Sequence, residues 1–441
     1  MEKHKFTYED AIAYLMERLP MFQRIGSSAY KKDLTNTIAL LEAMGNPHHQ
    51  YKTVHVGGTN GKGSVSHMIA AFLEDAGYKT GLYVSPHYLD IRERIKINGE
   101  YIDKDYFTSF VESHIVLIED IQPSYFELLV AMAFTYFRDQ EVDIAVIEVG
   151  LGGRLDSTNV ITPILSVITN ISYDHQNLLG DTLELIAGEK AGIIKSRVPV
   201  IIGERQENLI PIFEEKANEL SATMTVASDL WEASIQVKNQ HQSEIQLQDR
   251  RSGQNLSLEL PLLGEYQLKN VVTAFAAAQI LSVAMNIPDW IRHFEDAIPK
   301  LTSLWRFMGR MQVLHHRPLV IADSAHNEAG IRYLKKTVNE IDFLKLHIVF
   351  GAVNDKDLSK VFTELPTNAT YYFSCPDIPR GLEAVSLQEQ AATYGLKGRP
   401  YPTVKEAFLV AMESASLEDL ILVAGSIFVV AEVLDISNFE R

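Results

Sequence analysis

The sequence predicts an α/β protein built from a larger N-terminal unit and a smaller C-terminal one. Three observations carry this. Apolar strands alternate with helical periodicity along most of the 441 residues. Near-continuous apolar runs at 143–149 and 164–169 suit parallel strands covered on both faces. Between 221 and 263 the pattern shifts to short apolar–polar alternation, as in a small antiparallel sheet.

The chain is organised around one stretch. Val54 and Val56 begin a strand, which breaks into Gly57-Gly58-Thr59-Asn60-Gly61-Lys62-Gly63-Ser64 and resumes as a helix with Val65, Met68, Ile69 and Phe72. Glycines let backbone N–H groups turn toward an anion, and the helix N-terminus adds donors and partial positive charge. This is a phosphate-loop arrangement, with Lys62 expected on the terminal phosphates and Ser64 on Mg²⁺. The spacing departs from G-x-x-x-x-G-K-[ST]: position 56 is Val, and Gly63 separates the lysine from the hydroxyl. The competing reading is a glycine-rich turn without a ligand.

Composition narrows the class. Hydrophobic residues make up 46% of the chain, enough for a sizeable core. One cysteine, Cys375, excludes an internal disulfide framework and fits a reducing compartment. Met1 to Asp10 is polar and has no apolar signal core. The longest uncharged run, 270–288, is interrupted by Thr273, Gln279, Ser282 and Asn286, and reads as a buried core helix rather than a bilayer span. The expected setting is cytoplasmic, without a membrane partner. Lys plus Arg total 40 against 57 Asp plus Glu, a net charge of -17. That disfavours a nucleic-acid partner and means an anionic substrate needs local cations or a metal.

Taken in order, Thr7 to Arg18 reads as a helix capped by Thr7, with Ile12, Leu15, Met16 and Leu19 on one face. Leu34, Ile38 and Leu41 mark a second helix, stopped by Gly45 and Pro47. The helix after the phosphate loop ends near Gly77, and Thr80 to Val84 is a strand opening into Ser85-Pro86-His87. The dense charges at 90–96 read as either a solvated or a ligand-facing loop. Ser124 to Arg138 is a helix rich in aromatics. The strand at 143–149 carries Glu148 and leads to Gly150-Leu151-Gly152-Gly153-Arg154-Leu155-Asp156; the next leads to Asn170 and Asp174-His175. Ligands of open α/β sheets bind beyond the carboxyl ends of the strands. Glu148 and His175 stand at such ends, a carboxylate and an imidazole suited to Mg²⁺ or Mn²⁺. A structural histidine is the competing reading for His175.

Leu183 to Lys195 reads as a helix containing Gly188-Glu189-Lys190-Ala191-Gly192, and Val198 to Ile202 as a strand. Antiparallel strands are expected at 233–237, 244–248 and 256–260, with a turn at Arg251-Ser252-Gly253, then a long helix from Gln267 to Met285. Pro299 to Met308 reads as a connector. It divides an ATP-binding domain, 1–299, from a Rossmann-like α/β domain, 300–441. In the latter, the strand Leu319 to Ala322 runs into Asp323-Ser324-Ala325-His326-Asn327, and Leu346 to Phe350 into a second polar loop, with alternation continuing to Ala424.

Together Gly58–Ser64, Ser85-Pro86-His87, Glu148–Asp156, Glu189-Lys190-Ala191-Gly192 and Gly309-Arg310-Met311 resemble the folylpolyglutamate synthase family, which includes dihydrofolate synthases and belongs to the Mur ligases. The matches run from about residue 20 to residue 430, and the Gly-Leu-Gly-Gly-Arg-Leu-Asp run is the most specific. Two positions depart from the family pattern: Ser324, and Glu328 where many relatives have proline. The resemblance implies an ATP-dependent amide ligase, and a monomer is expected. A folate carboxylate becomes an acyl phosphate, which the amine of L-glutamate attacks. It implies Thr59, Asn60, Gly61, Lys62, Gly63, Ser64, Asn270, Arg310 and Asp323 as ATP contacts. Ser64, Ser85, Glu148 and His175 are the implied Mg²⁺ ligands. Ser124, Tyr125, Phe126, Glu127, Arg154, Leu155 and Asp156 would border the folate, and Lys62, Lys190, His175 and His326 would act in catalysis, with Lys190 carbamylated. The loop from Phe22 to Leu34 looks like that of the glutamate-extending branch. Its Arg24, Lys31 and Lys32 suit a polyanionic tail or, alternatively, a solvated loop. A Mur-type ligase for a cell-wall precursor, a phosphate-loop switch and an inactive binding module are the alternatives. The Gly-Leu-Gly-Gly-Arg-Leu-Asp run, the second α/β unit and the presence of Lys62, Glu148, His175 and Lys190 weigh against them in turn.

Overall fold

The glycine run lies where a largely buried parallel strand gives way to a helix, at the centre of the larger of two mostly parallel sheets. The computed structural model describes residues 6–21, 33–238, 243–354 and 356–439. Most of the loop from Phe22 to Leu34, with Arg24, Lys31 and Lys32, lies outside them.

The first sheet comprises β1 (Lys52–Gly57), β2 (Thr80–Tyr83), β3 (Ile95–Ile97), β4 (Glu100–Tyr101), β5 (Ile144–Glu148), β6 (Leu165–Ile168), β7 (Val200–Ile202) and β8 (Met224–Val226). Their order is β4-β3-β2-β5-β1-β6-β7-β8, with β3 and β4 antiparallel at one edge and the rest parallel. Apart from Lys52, every residue of the central strands β1, β5 and β6 is buried, because helices cover both faces. Lys62–Asp75 and Tyr266–Met285 pack together on one face, while Tyr125–Asp139 lies in the core on the other. Tyr266–Met285 is the one described helix long and apolar enough to cross a bilayer, and two thirds of that stretch is buried inside the protein.

The antiparallel sheet is β9 (Trp231–Lys238), β10 (Ser243–Asp249) and β11 (Asn255–Leu260) in the order β11-β10-β9. Its apolar side, Ile245, Leu247, Leu258 and Leu260, joins the core around Phe275. The third sheet is β12 (Gln312–His316), β13 (Leu319–Ala322), β14 (Leu346–Gly351), β15 (Thr370–Ser374), β16 (Lys397–Tyr401) and β17 (Leu420–Ala424). Its order β12-β13-β17-β14-β15-β16 is parallel except for β12. This is the α/β architecture expected.

Several local expectations need correction. The first helix is Tyr8–Arg18 and Thr7 closes a capping box with Asp10, but Met16 is 42% exposed and Ala11 occupies the buried face. Ile38 is 45% exposed, while Leu40 and Leu41 are buried. The helix from Leu183 ends at Ala191, since Gly192 turns the chain against Arg154. Strand β12 went unrecognised: it is an edge strand with little burial contrast. The charges at 90–96 are not a solvated loop, because Glu93, Arg94 and Lys96 are all buried. Glu93 accepts bonds from the N–H groups of Tyr88, Leu89 and Asp90.

Candidate active site

The phosphate loop begins at the end of β1. Gly58 and Gly61 adopt φ of 131° and 86°. A Cβ on Gly58 would strike Thr169, and one on Gly61 would strike Asn270, so both positions need glycine. The segment after β6 braces the loop. Asn60 N donates to Asn170 Oδ1 at 3.1 Å, Asn60 Nδ2 to Ser172 Oγ at 3.0 Å, and Thr169 Oγ1 to Asn60 O at 2.6 Å. Thr169 and Ser172 were missed in the sequence. Their signal was position: they follow the strand beside β1. Lys62 Nζ donates to Thr59 O at 3.0 Å, and Ser64 is buried in the first helical turn.

Glu148 ends β5, in register with Val56 of β1. A Cβ on Gly63 would stand 3.8 Å from each Glu148 oxygen, so the carboxylate faces the loop across the glycine. Ser85 N donates to Glu148 Oε2 at 3.1 Å. Burial pushes the carboxyl up to about 6, against Lys62 and the Ser85 N–H, which pull it down. His175 sits at φ 50°, and burial takes its imidazole down to about 4, so it is neutral near pH 7. Among the described residues, no three His, Cys, Asp or Glu side chains gather as a ready-made cage. The local donor set of hydroxyl, carboxylate and neutral imidazole fits Mg²⁺, which binds through few protein ligands together with phosphate oxygens.

Lys190 is 4% exposed, not a surface lysine, and its Nζ donates to Gly58 O at 2.7 Å. Burial, reinforced by the charge of Lys62, brings its pKa down to about 7.

The third sheet closes over this centre. Asp323, past the end of β13, accepts from Tyr266 Oη at 2.7 Å, Met311 N at 2.9 Å and Ala325 N at 2.8 Å. Arg310 Nη1 donates to Tyr88 Oη at 2.6 Å and also to Ser324 Oγ, so the departing Ser324 takes part in the network. Asn327 Nδ2 reaches Asn60 Oδ1 at 3.1 Å, tying the second polar motif to the phosphate loop. His326 Nε2 meets Asp174 Oδ2 at 3.3 Å. Asn270 is buried against Gly61, and its Nδ2 donates to Gln267 Oε1 at 2.8 Å.

Beside these groups lies a cavity of about 430 Å³. Ser85, Ser124, Tyr125, Phe126, Glu127, Leu155, Asp156 and His175 line it from the first unit, and His326, Lys356 and Lys360 from the second. Ser124 and Glu127 also form the capping box of the aromatic helix, with Ser124 N donating to Glu127 Oε2 at 2.6 Å. Asp156 accepts from Leu151 N at 2.8 Å and Thr158 Oγ1 at 2.5 Å, shaping the glycine-rich turn. Arg154 is the exception: it does not line the cavity, its side chain is 57% exposed, and it pairs with Glu189 at 2.8 Å.

Residues 56–278 match the Mur ligase middle domain, and residues 309–427 match the Mur ligase, glutamate ligase domain. A folylpolyglutamate synthase of Lacticaseibacillus casei is 32% identical, over 97% of this chain and 97% of that one. A probable bifunctional folylpolyglutamate synthase/dihydropteroate synthase of Haloferax volcanii is also 32% identical, over 96% of this chain. This chain spans about half the length of that relative. The solved structure of Escherichia coli FolC with DHPP and ADP superposes with a TM-score of 0.85 at 28% identity, covering 100% of both chains. With the motifs and all three sheets accounted for along nearly its whole length, the chain belongs to the folylpolyglutamate synthase/dihydrofolate synthase family of Mur ligases.

Proposed function

We propose that this protein is an ATP-dependent ligase that adds L-glutamate to a folate through an acyl phosphate. The observation that carries the reading is the joint construction of the site: one cavity is walled by aromatic residues, Ser85 and His175 on the first unit and by cations on the second, and Asn327 on its wall bonds to Asn60 of the phosphate loop. We place the division between the units near residue 300.

The phosphate-loop N–H groups and Lys62 bind the ATP phosphates, with Arg310, Asp323 and Asn270 holding the rest of the nucleotide. Ser64, Ser85, Glu148 and His175 would hold Mg²⁺, whose charge would neutralise the phosphates and align the transfer. A carboxylate is a poor electrophile until one oxygen becomes a leaving group, and phosphorylation supplies one. Tyr125, Phe126 and Asp156 border the folate, while Lys356 and His326 face the side on which glutamate approaches. Drawing two anions together requires such convergent cations and exclusion of water. Lys190 is suited to carbamylation: with its pKa near 7, a substantial share of the amine is neutral and free to attack CO₂. Cytoplasmic placement and a monomeric state complete the proposal.

The test is phosphate release from ATP and Mg²⁺. Release that needs both glutamate and a folate, with product heavier by one glutamyl unit, is the expected result. Release independent of either substrate would overturn the reading.

A further inference from the structure

Lys96 is a lysine in the core, 2% exposed, on β3. Its Nζ donates to the backbone O of Trp305 at 2.7 Å and faces His67 Nε2 at 3.2 Å. Among the described residues, no carboxylate lies within ion-pair distance of it. His67 Nδ1 stands 2.7 Å from Gly63 O. That carbonyl can only accept, so Nδ1 carries the ring hydrogen and Nε2 presents its lone pair to the ammonium. Burial and the neighbouring Lys96 charge hold His67 well below its ordinary pKa, in keeping with a neutral ring. The result is an unbroken polar path, Gly63 O–His67–Lys96–Trp305 O.

Both ends of this path matter. Gly63 lies between Lys62 and Ser64, in the first turn of the phosphate-loop helix. Trp305 is fully buried and begins the last stretch of the connector. Within the next six residues Arg306, Gly309 and Met311 take φ of 50°, 68° and 47°, and Arg310 lies among them. Phe307 packs on the His67 ring with centroids 4.8 Å apart, and Arg306 lies over Tyr101 of the same hairpin at 4.9 Å. The chain that delivers Arg310 is thus anchored to the phosphate-loop helix before it crosses to the third sheet. An ammonium buried against a carbonyl and an imidazole is an expensive way to fill space, since apolar residues would do so at lower cost.

Granted that the phosphate loop and Arg310 hold ATP, as proposed above, we infer that Lys96 and His67 are positioning residues that fix Arg310 relative to the phosphate loop and thereby set affinity for the nucleotide. Neither touches the substrates. They act through Gly63 at one end and the Trp305–Arg310 segment at the other.

The test uses the full chain with Lys96→Met, His67→Leu, His67→Gln and Arg310→Ala. Binding of the non-hydrolysable analogue AMPPCP with Mg²⁺ is titrated calorimetrically, and KM for each substrate is measured. Lys96→Met and His67→Leu should weaken the analogue and raise KM for ATP about tenfold, the scale of a lost hydrogen bond to a charged group. KM for glutamate and folate should change little. His67→Gln, whose amide can donate to Gly63 O and accept from Lys96, should recover most of the affinity. In an Arg310→Ala background, Lys96→Met should have little further effect, because its action runs through Arg310. Unchanged affinity in folded Lys96→Met, or additive losses in the double variant, would overturn the inference while leaving the ATP site standing. Unchanged affinity in Arg310→Ala would instead overturn the assignment of Arg310, and the inference with it. Should Lys96→Met fail to fold, the contrast between the two His67 variants decides.

Discussion

His326 Nε2 lies 3.3 Å from Asp174 Oδ2, and Lys356 Nζ lies 3.1 Å from the other oxygen of the same carboxylate. One acidic side chain of the first unit therefore joins two basic groups of the second, in the lining of the cavity. Burial alone would raise the Asp174 pKa, but the charges of His175 and Lys356 and the bond from His326 outweigh it and hold the carboxyl well below its ordinary range. His175 is itself neutral near pH 7, so at neutral pH its charge does not act on Asp174, while that of Lys356, at 3.1 Å, does.

Asp174→Asn is expected to cost about 1–3 kcal/mol of stability near pH 7, as it leaves Lys356 without its counter-charge. A depressed carboxylate stabilises the fold above its unfolded pKa and loses that contribution as pH falls through the folded value. The difference in Tm between wild type and Asp174→Asn should therefore shrink as pH drops below about 4. A difference that stays constant from pH 7 to pH 3 would show that the carboxylate charge is not what matters.

Lys62→Ala should fold normally and lose at least about two orders of magnitude in turnover, the scale for removing a preorganised electrostatic contact. Lys62 is a compact charge whose Nζ already rests on Thr59 O at the loop, and the loop, Gly57 to Ser64, holds no second cation. Circular dichroism and phosphate-release kinetics check this together. Near-wild-type turnover in a folded variant would remove Lys62 from the mechanism.

These residues divide according to how much of them the sequence could disclose. Lys62 and Glu148 were legible because each rests on a local pattern, a glycine loop or an apolar strand ending in a polar residue. The Thr7 cap was legible for the same reason. Lys96 was not: a lysine amid Arg92, Glu93 and Arg94 looks solvated, and only the packing of Trp305 and His67 onto the β3 hairpin buries it. Met16 and Ile38 show the converse, since helical spacing marks an apolar stripe but not which neighbours reach it. Arg154 belongs to the most specific motif, yet its side chain turns to Glu189, a partner 35 residues away.

Lys190→Ala should reduce turnover by about two orders of magnitude, with partial recovery in formate or acetate. The unmodified ammonium donates to Gly58 O and adds positive charge near Lys62. Carbamylation would replace that charge with an anion, which a nearby Mg²⁺ would favour. Activity in the variant equal to wild type, with no response to carboxylates, would leave Lys190 as an ordinary buried lysine.

The enzyme should prefer to extend an existing folate and use dihydropteroate poorly. Both reactions share the acyl phosphate and the incoming glutamate, so the ATP machinery cannot separate them. Dihydropteroate ends at its benzoate carboxylate, which brings its pterin closer to the transferred phosphate by one glutamyl unit. A folate with a glutamate tail instead carries additional carboxylates into the cavity. Lys356, Lys360 and Arg380 line the wall contributed by the second unit, and cations there suit such a tail. Tyr125 and Phe126, on the opposite wall, offer aromatic surface for a ring system held farther off. The deciding measurement is kcat/KM for tetrahydrofolate, or its monoglutamate derivatives, against dihydropteroate. A ratio of at least about tenfold, some 1.4 kcal/mol of transition-state discrimination, is expected. Lys360→Ala should lower kcat/KM for the glutamylated substrate more than for dihydropteroate, because only the former brings a tail carboxylate to that wall. Comparable values for the two substrates in the wild type would make the enzyme bifunctional and assign the cations to the incoming glutamate alone.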